Sequence, residues 1–251
     1  MLELKNVYKT FDDGSGMTFN ALEDINLHFK KGTFTTIIGG NGSGKSTLLN
    51  VIAGNLSCEK GEILLKNKKI NHLSDYKRAA FISRIFQDPL SGTAPGLTII
   101  ENMRLAALRN KSKGLKLGIN SSFKSIIKEK ISQLGLGLEN NLNQPVSNLS
   151  GGQRQALTLV MATIELPEVI LLDEPTAALD PKAAGLIMKI AAEIIQKEQL
   201  TAILVTHNMQ EAIQYGDRLL HIHHGKIKRD LDAQEKSTLK PLELISWFQE
   251  I

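Results

Sequence analysis

The sequence predicts an α/β fold: a core of parallel strands with helical crossovers, an antiparallel β subdomain at the N-terminus and an inserted α-helical subdomain. Three observations predict it. Residues 2–7, 25–29 and 62–66 are short alternating segments separated by turn residues, the pattern of a half-buried antiparallel sheet. The β-branched run Thr35-Thr36-Ile37-Ile38 enters a Gly-rich loop and then a helix, and later apolar runs at 169–172, 202–206 and 218–222 read as buried strands. Between them, residues 88–148 carry helical patterns and no convincing long strand. Residues 1–87 and 149–251 are therefore expected to form the core and β subdomain, with 88–148 inserted as the helical subdomain.

Each element has a local reason. Residues 12–16 make a polar turn between the first two strands, and Asn67-Lys68 turns the third back toward Ile70. The helix after the Gly-rich loop is expected over 46–53, with Gly54 at its C′ position. In the insert, Thr98 and Glu101 have capping-box spacing and start a helix reaching about residue 109. A Gly- and Lys-rich loop follows, then a helix over 123–134 that Gly135-Leu136-Gly137 stops. Ser150 is an N-cap candidate, and Ala156, Leu159, Val160, Thr163 and Ile164 mark one face of the next helix. Pro167 and Pro175 bound the first late strand, and residues 182–197 supply a crossover helix. Trp247 belongs to the apolar face of a C-terminal helix. His221 and His223 share one strand face while His224 enters the Gly225 turn, so they read as strand and turn residues before metal ligands.

Composition narrows the class. With 42% hydrophobic and 22% charged residues the chain is an ordinary globular protein. No apolar stretch approaches the roughly 20 residues that span a bilayer, and residues 1–7 alternate like a strand where a signal peptide would be continuously apolar. The single cysteine, Cys58, excludes an intramolecular disulfide, suits a reducing cytosol and reads as a small residue in a polar loop. The net charge of +4 is unevenly spread: Arg104, Arg109, Lys111, Lys113, Lys116, Lys124, Lys128 and Lys130 cluster in the insert. Phe123 is the lone aromatic there, which leaves base stacking little to work with and argues against nucleic acid. A solvated helix face and basic loop is the plainer reading; anionic lipid headgroups are the functional alternative.

The chemistry lies in an ordered set of motifs. Gly39-Gly40-Asn41-Gly42-Ser43-Gly44-Lys45-Ser46 has the spacing of a P-loop, so the core is read as that of a P-loop NTPase. A triphosphate brings about four negative charges, and the loop answers with backbone N–H groups, the positive end of a helix and the Lys45 ammonium. Ser46 offers a hydroxyl to Mg2+, with Thr47 beside it on the phosphates of ATP. The apolar run 169–172 ends in Asp173-Glu174; strand alternation would split them, Asp173 to the Mg2+ shell and Glu174 to the attacking water. Gln87 follows an apolar segment and can ligate Mg2+ or hold water. His207 ends the run 203–206 and can donate toward the γ-phosphate. Ser150-Gly151-Gly152-Gln153 opens a second helix after a second Gly-rich turn. One turn already occupies the γ-phosphate, so this helix most simply faces the ATP of a second copy, and Asp180 would cross the same interface.

Taken together, this order resembles the ATP-binding subunit of an ABC transporter over nearly the whole chain: the P-loop, Gln87, Leu149-Ser150-Gly151-Gly152-Gln153, Asp173-Glu174, Asp180 and His207. The resemblance implies an ABC ATPase fold, and that Phe11 stacks on adenine, with Tyr8 the alternative aromatic. It implies that a groove around residues 87–97 receives a short helix of an integral membrane permease, placing the chain on the cytoplasmic face of the membrane. It implies an ATP-dependent dimer and, through the permease, an extracytoplasmic substrate-binding protein. Phe86-Gln87-Asp88-Pro89, Gly92-Thr93-Ala94, Lys113-Gly114-Leu115, Thr206-His207-Asn208-Met209 and Tyr215-Gly216-Asp217-Arg218 are similar to a bacterial subgroup assigned to tryptophan or tyrosine uptake. The competing readings are an exporter ATPase and a soluble ABC-type ATPase of iron–sulfur assembly.

Overall fold

A computed structural model of the chain describes residues 1–12, 16, 18–109 and 118–247. It divides into two compact units, Met1–Ile82 with Glu168–Glu174 and Gln199–Ile251, and Ser83–Pro167 with Pro175–Glu198. The expected insert, 88–148, lies inside the second unit, which also takes in residues 149–167 and 175–198.

In chain order the first unit opens with β1 (Leu2–Asp12), β2 (Thr18–Phe29), β3 (Phe34–Ile38), α1 (Lys45–Ala53), β4 (Lys60–Leu65), β5 (Lys68–Lys69) and α2 (Asp75–Arg78). β6 (Ile82–Ile85) starts on the last residue of the segment Met1–Ile82, and from Ser83 the chain is in the second unit, which continues with α3 (Ile99–Ala107), α4 (Ser121–Ser132) and α5 (Gly151–Thr163). β7 (Val169–Asp173) belongs to the first unit, and α6 (Pro181–Lys197) to the second. The first unit then finishes with β8 (Thr201–Val205), α7 (Met209–Gln214), β9 (Arg218–His223), β10 (Lys226–Leu231), α8 (Ala233–Ser237) and α9 (Pro241–Trp247).

Two sheets organise the first unit. One is antiparallel in the order β2-β1-β4-β5; in the other, β10-β9-β3-β8-β7 are neighbours in that order, parallel from β9 to β7. Because strand side chains alternate, the parallel sheet has two apolar faces. On one, Ile37, Leu171, Val205 and Ile222 pack with Leu48 and Ile52 of α1 and with Leu4 and Phe29 of the antiparallel sheet. On the other, Ile38 and Leu219 pack with Ala212 of α7 and with Leu244 and Trp247 of α9.

Several expectations are corrected. β1 and β2 extend beyond residues 2–7 and 25–29 because each absorbs an irregularity at a left-handed residue, Asn6 (φ 47) and Asp24 (φ 51). Their side chains hydrogen-bond at 2.9 Å, which pins the two irregularities together. Asp12 is therefore strand, while 13–15 and 17 of the expected turn lie outside the described residues. The turn at Asn67 is present, with Lys66 and Asn67 at φ 51 and 63. α1 starts at Lys45, and Gly54 closes it with its N–H on Asn50 O. β6 and β10 were not anticipated: four residues are too few to show a period, and Lys-Ile-Lys-Arg-Asp-Leu of β10 reads as polar loop. Cys58 stands in the loop between α1 and β4 as expected, but half-buried against the core, where it accepts from Asn71 Nδ2 at 3.3 Å.

In the second unit, Thr98 forms the capping box with Glu101. α4 starts two residues earlier than expected because Asn120 caps it, accepting from Phe123 N at 2.9 Å. α5 is buried nearly all round, wider than the single face expected. Arg109 is not a solvated charge: it donates to Ser83 Oγ and to Glu165 O, and burial pulls its pKa down. Arg104 lies over the Phe123 ring at 5.2 Å. Lys111, Lys113 and Lys116, and with them the Lys113-Gly114-Leu115 feature, lie outside the described residues.

Candidate active site

The strand β3 delivers the chain into the Gly-rich turn, and α1 leaves it with its N-terminus toward the loop. The glycines divide by role. A Cβ at Gly39 would lie 2.2 Å from Ile222 O, and one at Gly44 (φ 107) would lie 2.4 Å from Ala21 O, so these two permit the turn to pack. A Cβ at Gly40 or Gly42 would meet nothing within 4 Å, so these two leave the approach to the backbone open. Ser43 Oγ is buried and, among the described residues, has no hydrogen-bond partner. A buried hydroxyl without a partner is costly unless a ligand supplies one, and a phosphate oxygen fits.

Lys45 is 7% exposed, and its ammonium donates to Gly39 O and Gly40 O, both at 2.8 Å. Burial lowers its pKa, while Glu174 and then Asp173 pull it back up. The cation is thus held on two carbonyls beside two carboxylates, ready to be compensated by an anion. Ser46 is exposed at the start of α1 and Thr47 half-buried behind it.

Asp173 is the last residue of β7, but Glu174 does not continue the alternation. It leaves the strand in the left-handed region, φ 46, with its N–H on Val205 O at 2.9 Å. That conformation costs a non-glycine residue on the order of 1 kcal/mol. Backbone strain of this kind gathers where a side chain must be aimed. The carboxylate is aimed at His207, whose Nδ1–H donates to Glu174 Oε2 at 3.1 Å. A carboxylate only accepts, which assigns the proton to Nδ1. His207 itself is exposed just past β8, while Glu174 is shielded. Lys45, Asp173, Glu174 and His207 therefore gather at the carboxyl ends of β3, β7 and β8, where ligands of parallel sheets bind.

Phe11 is half-buried on β1 opposite Phe19 of β2, ring centroids 5.8 Å apart, with Lys9 Nζ 5.3 Å over its ring. Tyr8 lies under Lys60. His221, His223 and His224 neighbour one another, His221 buried in the strand and His224 (φ 46) in the turn.

The remaining candidates lie in the second unit. Gln87 is exposed in the bend after β6. Ser150 Oγ accepts from Gln153 N at 3.2 Å and Gln153 Oε1 accepts from Ser150 N at 3.0 Å, a full capping box. The Gln153 side chain is thereby turned onto its own helix, while the Ser150 hydroxyl proton remains able to donate outward. Added Cβ atoms at Gly151 and Gly152 would press on Leu179 (3.2 Å) and Ala183 (3.1 Å), so close packing also accounts for these glycines. Asp180 caps α6, accepting from Lys182 N and Ala183 N. One positioning residue was missed: Gln155, fully buried, donates to Phe86 O at 3.0 Å and Pro175 O at 2.9 Å, gripping the neighbours in sequence of Gln87 and Glu174. A polar residue inside the apolar stripe of a helix was its only signal.

The family model described as ABC transporter matches residues 22–177. The chain belongs to the ABC transporter family. It is an ATP-binding subunit of that family and an ATPase. The chain is 39% identical to a tyrosine transport ATP-binding protein of Clostridioides difficile, over 99% of each chain. It is 34% identical to an uncharacterized ABC transporter ATP-binding protein of Methanocaldococcus jannaschii, over 92% of this chain and 96% of that one. A solved structure of that archaeal cassette, a dimeric post-hydrolysis state bound to ADP and Pi, superposes with a TM-score of 0.79 at 32% identity, covering 93% of this chain and 99% of the other. CbiO1 from Clostridium perfringens, part of the ABC transporter complex CbiONQ, superposes at 0.78 with 27% identity, over 100% of this chain and 98% of that one. These ABC cassettes share its mixed α/β architecture. Among the described residues no helix of the ABC subunit is long and apolar enough to cross a membrane.

Proposed function

We propose that this ATPase drives an importer of a small solute such as an aromatic amino acid, holding ATP between two copies of itself. The carrying observation is the Glu174 carboxylate, presented from a left-handed residue, held by His207 and within electrostatic reach of Lys45.

In this reading Lys45 leaves the Gly39 and Gly40 carbonyls for the β- and γ-phosphates, while the Gly39–Gly44 N–H groups, Asn41, Ser43 and Thr47 cradle them. Phe11 stacks on adenine. Ser46, Gln87 and Asp173 would hold Mg2+, which when bound neutralises charge between the phosphate oxygens. Glu174 takes a proton from the attacking water, and His207 fixes the carboxylate and lies beside the γ-phosphate. Ser150, Gly151 and Gly152 of the second copy close over that phosphate with the positive end of α5, and its Asp180 borders the interface. Gln153 acts through the capping box that shapes the turn.

The helical segment 88–148 serves as the subdomain facing the permease, whose short helix seats at residues 87–97 on the cytoplasmic face of the membrane. An extracytoplasmic binding protein delivers the solute. The tyrosine transport relative, alike from end to end, supports the solute class. The test is uptake by vesicles containing this chain and its permease. Accumulation of labelled tyrosine or tryptophan that needs ATP supports the reading. Efflux, or transport of an unrelated solute only, overturns it.

A further inference from the structure

The floor of the Gly-rich turn is not built by the turn itself. β9 and β10 are joined by a tight hairpin with His224 (φ 46) and Gly225 (φ 72) at its tip, the two left-handed residues of a type I′ turn. That tip is bonded to the phosphate-binding loop and to β2: Gly225 N donates to Ser43 O at 2.9 Å, and Gly225 O accepts from Glu23 N at 2.8 Å. Two residues before His224, Ile222 O lies where any Cβ on Gly39 would fall. The hairpin therefore sets the height of both ends of the loop.

What holds the hairpin is the C-terminal helix. His221, 1% exposed and paired in register with Ile38, lies 5.5 Å from the Trp247 ring of α9. Arg229 of β10 joins the contact, its guanidinium 4.5 Å from the Trp247 centroid and its Nη1 donating to His221 Nδ1 at 3.2 Å. One tryptophan thus touches both strands of the hairpin. Leu244, one turn earlier, joins Ile38, the residue that precedes Gly39.

We infer that Trp247 is a positioning residue for nucleotide binding: through His221 and Arg229 it fixes the β9–β10 hairpin, and the hairpin fixes the phosphate-binding loop. The inference rests on the reading of that loop as the nucleotide site. Removing the indole leaves a tilting hairpin and a loop that must be ordered by the ligand, so affinity falls before chemistry does.

The test measures equilibrium binding of ATP and steady-state kinetics on the full chain, for Trp247→Ala, Trp247→Phe, Arg229→Gln and Lys45→Ala. Trp247→Ala is expected to raise Kd and KM for ATP about tenfold while kcat at saturation stays within about twofold. Trp247→Phe should recover most of the affinity, and Arg229→Gln should add little to Trp247→Ala in the double variant because both act through one contact. Since Trp247 is the only tryptophan, its emission in the unmodified protein also reports the link, and adding ATP should shift it. A merely structural role would lower Tm and leave Kd unchanged in the folded fraction; that result, or an emission spectrum indifferent to ATP, overturns the inference. Undiminished binding in Lys45→Ala would instead overturn the nucleotide site itself.

Discussion

Glu174→Gln removes the group proposed to take the water's proton and changes little else. The side chain keeps its length, and an amide oxygen still accepts from His207 Nδ1, which lies 3.1 Å from the carboxylate. The left-handed backbone, φ 46, costs glutamine on the order of 1 kcal/mol as it costs glutamate, so this strain cancels. Stability should stay within about 0.5 kcal/mol, less than about 2 °C in Tm for a chain this size. Turnover should fall by about 10²–10⁴, or about 2.7–5.4 kcal/mol of barrier. Glu174→Gly separates chemistry from strain: it discards the carboxylate but relieves the left-handed residue, so turnover falls as far while Tm does not drop. Phosphate release at saturating ATP and thermal unfolding read the two quantities. Glu174→Gln retaining turnover within about threefold would refute the general-base reasoning.

Lys45→Ala deletes the cation between the loop carbonyls and the two carboxylates; ATP affinity should fall at least about 100-fold by equilibrium binding, with the fold retained. Arg78→Met tests a residue no motif flagged: the buried guanidinium donates to Val51 O and Ile52 O at the end of α1 and to Leu73 O. Stranding those carbonyls should destabilise by about 2–4 kcal/mol, read from urea midpoints. Lys236, 3% exposed, donates to Tyr215 O and Gly216 O, and burial pushes its pKa from 10.5 down to about 8, with Asp217 opposing. The unfolded chain then binds the extra proton between pH 8 and 10.5, so native stability rises across that window. Relative to Lys236→Met, the unmodified protein should gain up to about 3 kcal/mol over those pH values, and parallel stability curves would contradict this.

Much of the fold was legible because its signals are local. The β-branched run before Gly39, the Thr98–Glu101 box and the Ser150 cap each declare themselves within a few residues, and each is present. What was not legible depends on contacts distant in sequence. β10 has four charged residues among its six and becomes a strand only because β9 offers it an edge. Arg78 and Gln155 look like ordinary surface polar residues until the carbonyls they satisfy are in place. Alternation misjudged Glu174, since one left-handed residue ends the period that the prediction relied on. The gathering of Lys45, Asp173, Glu174 and His207 was anticipated from motif order, whereas the double use of Gly151 and Gly152 for packing was not.

The most direct measurement is a structure of the Glu174→Gln protein with ATP and Mg2+. The account predicts two copies head to tail, each γ-phosphate within about 3 Å of Ser150 Oγ from the other copy. A terminal phosphate enclosed by one copy alone, with both Ser150 hydroxyls remote from it, would contradict the shared-nucleotide claim.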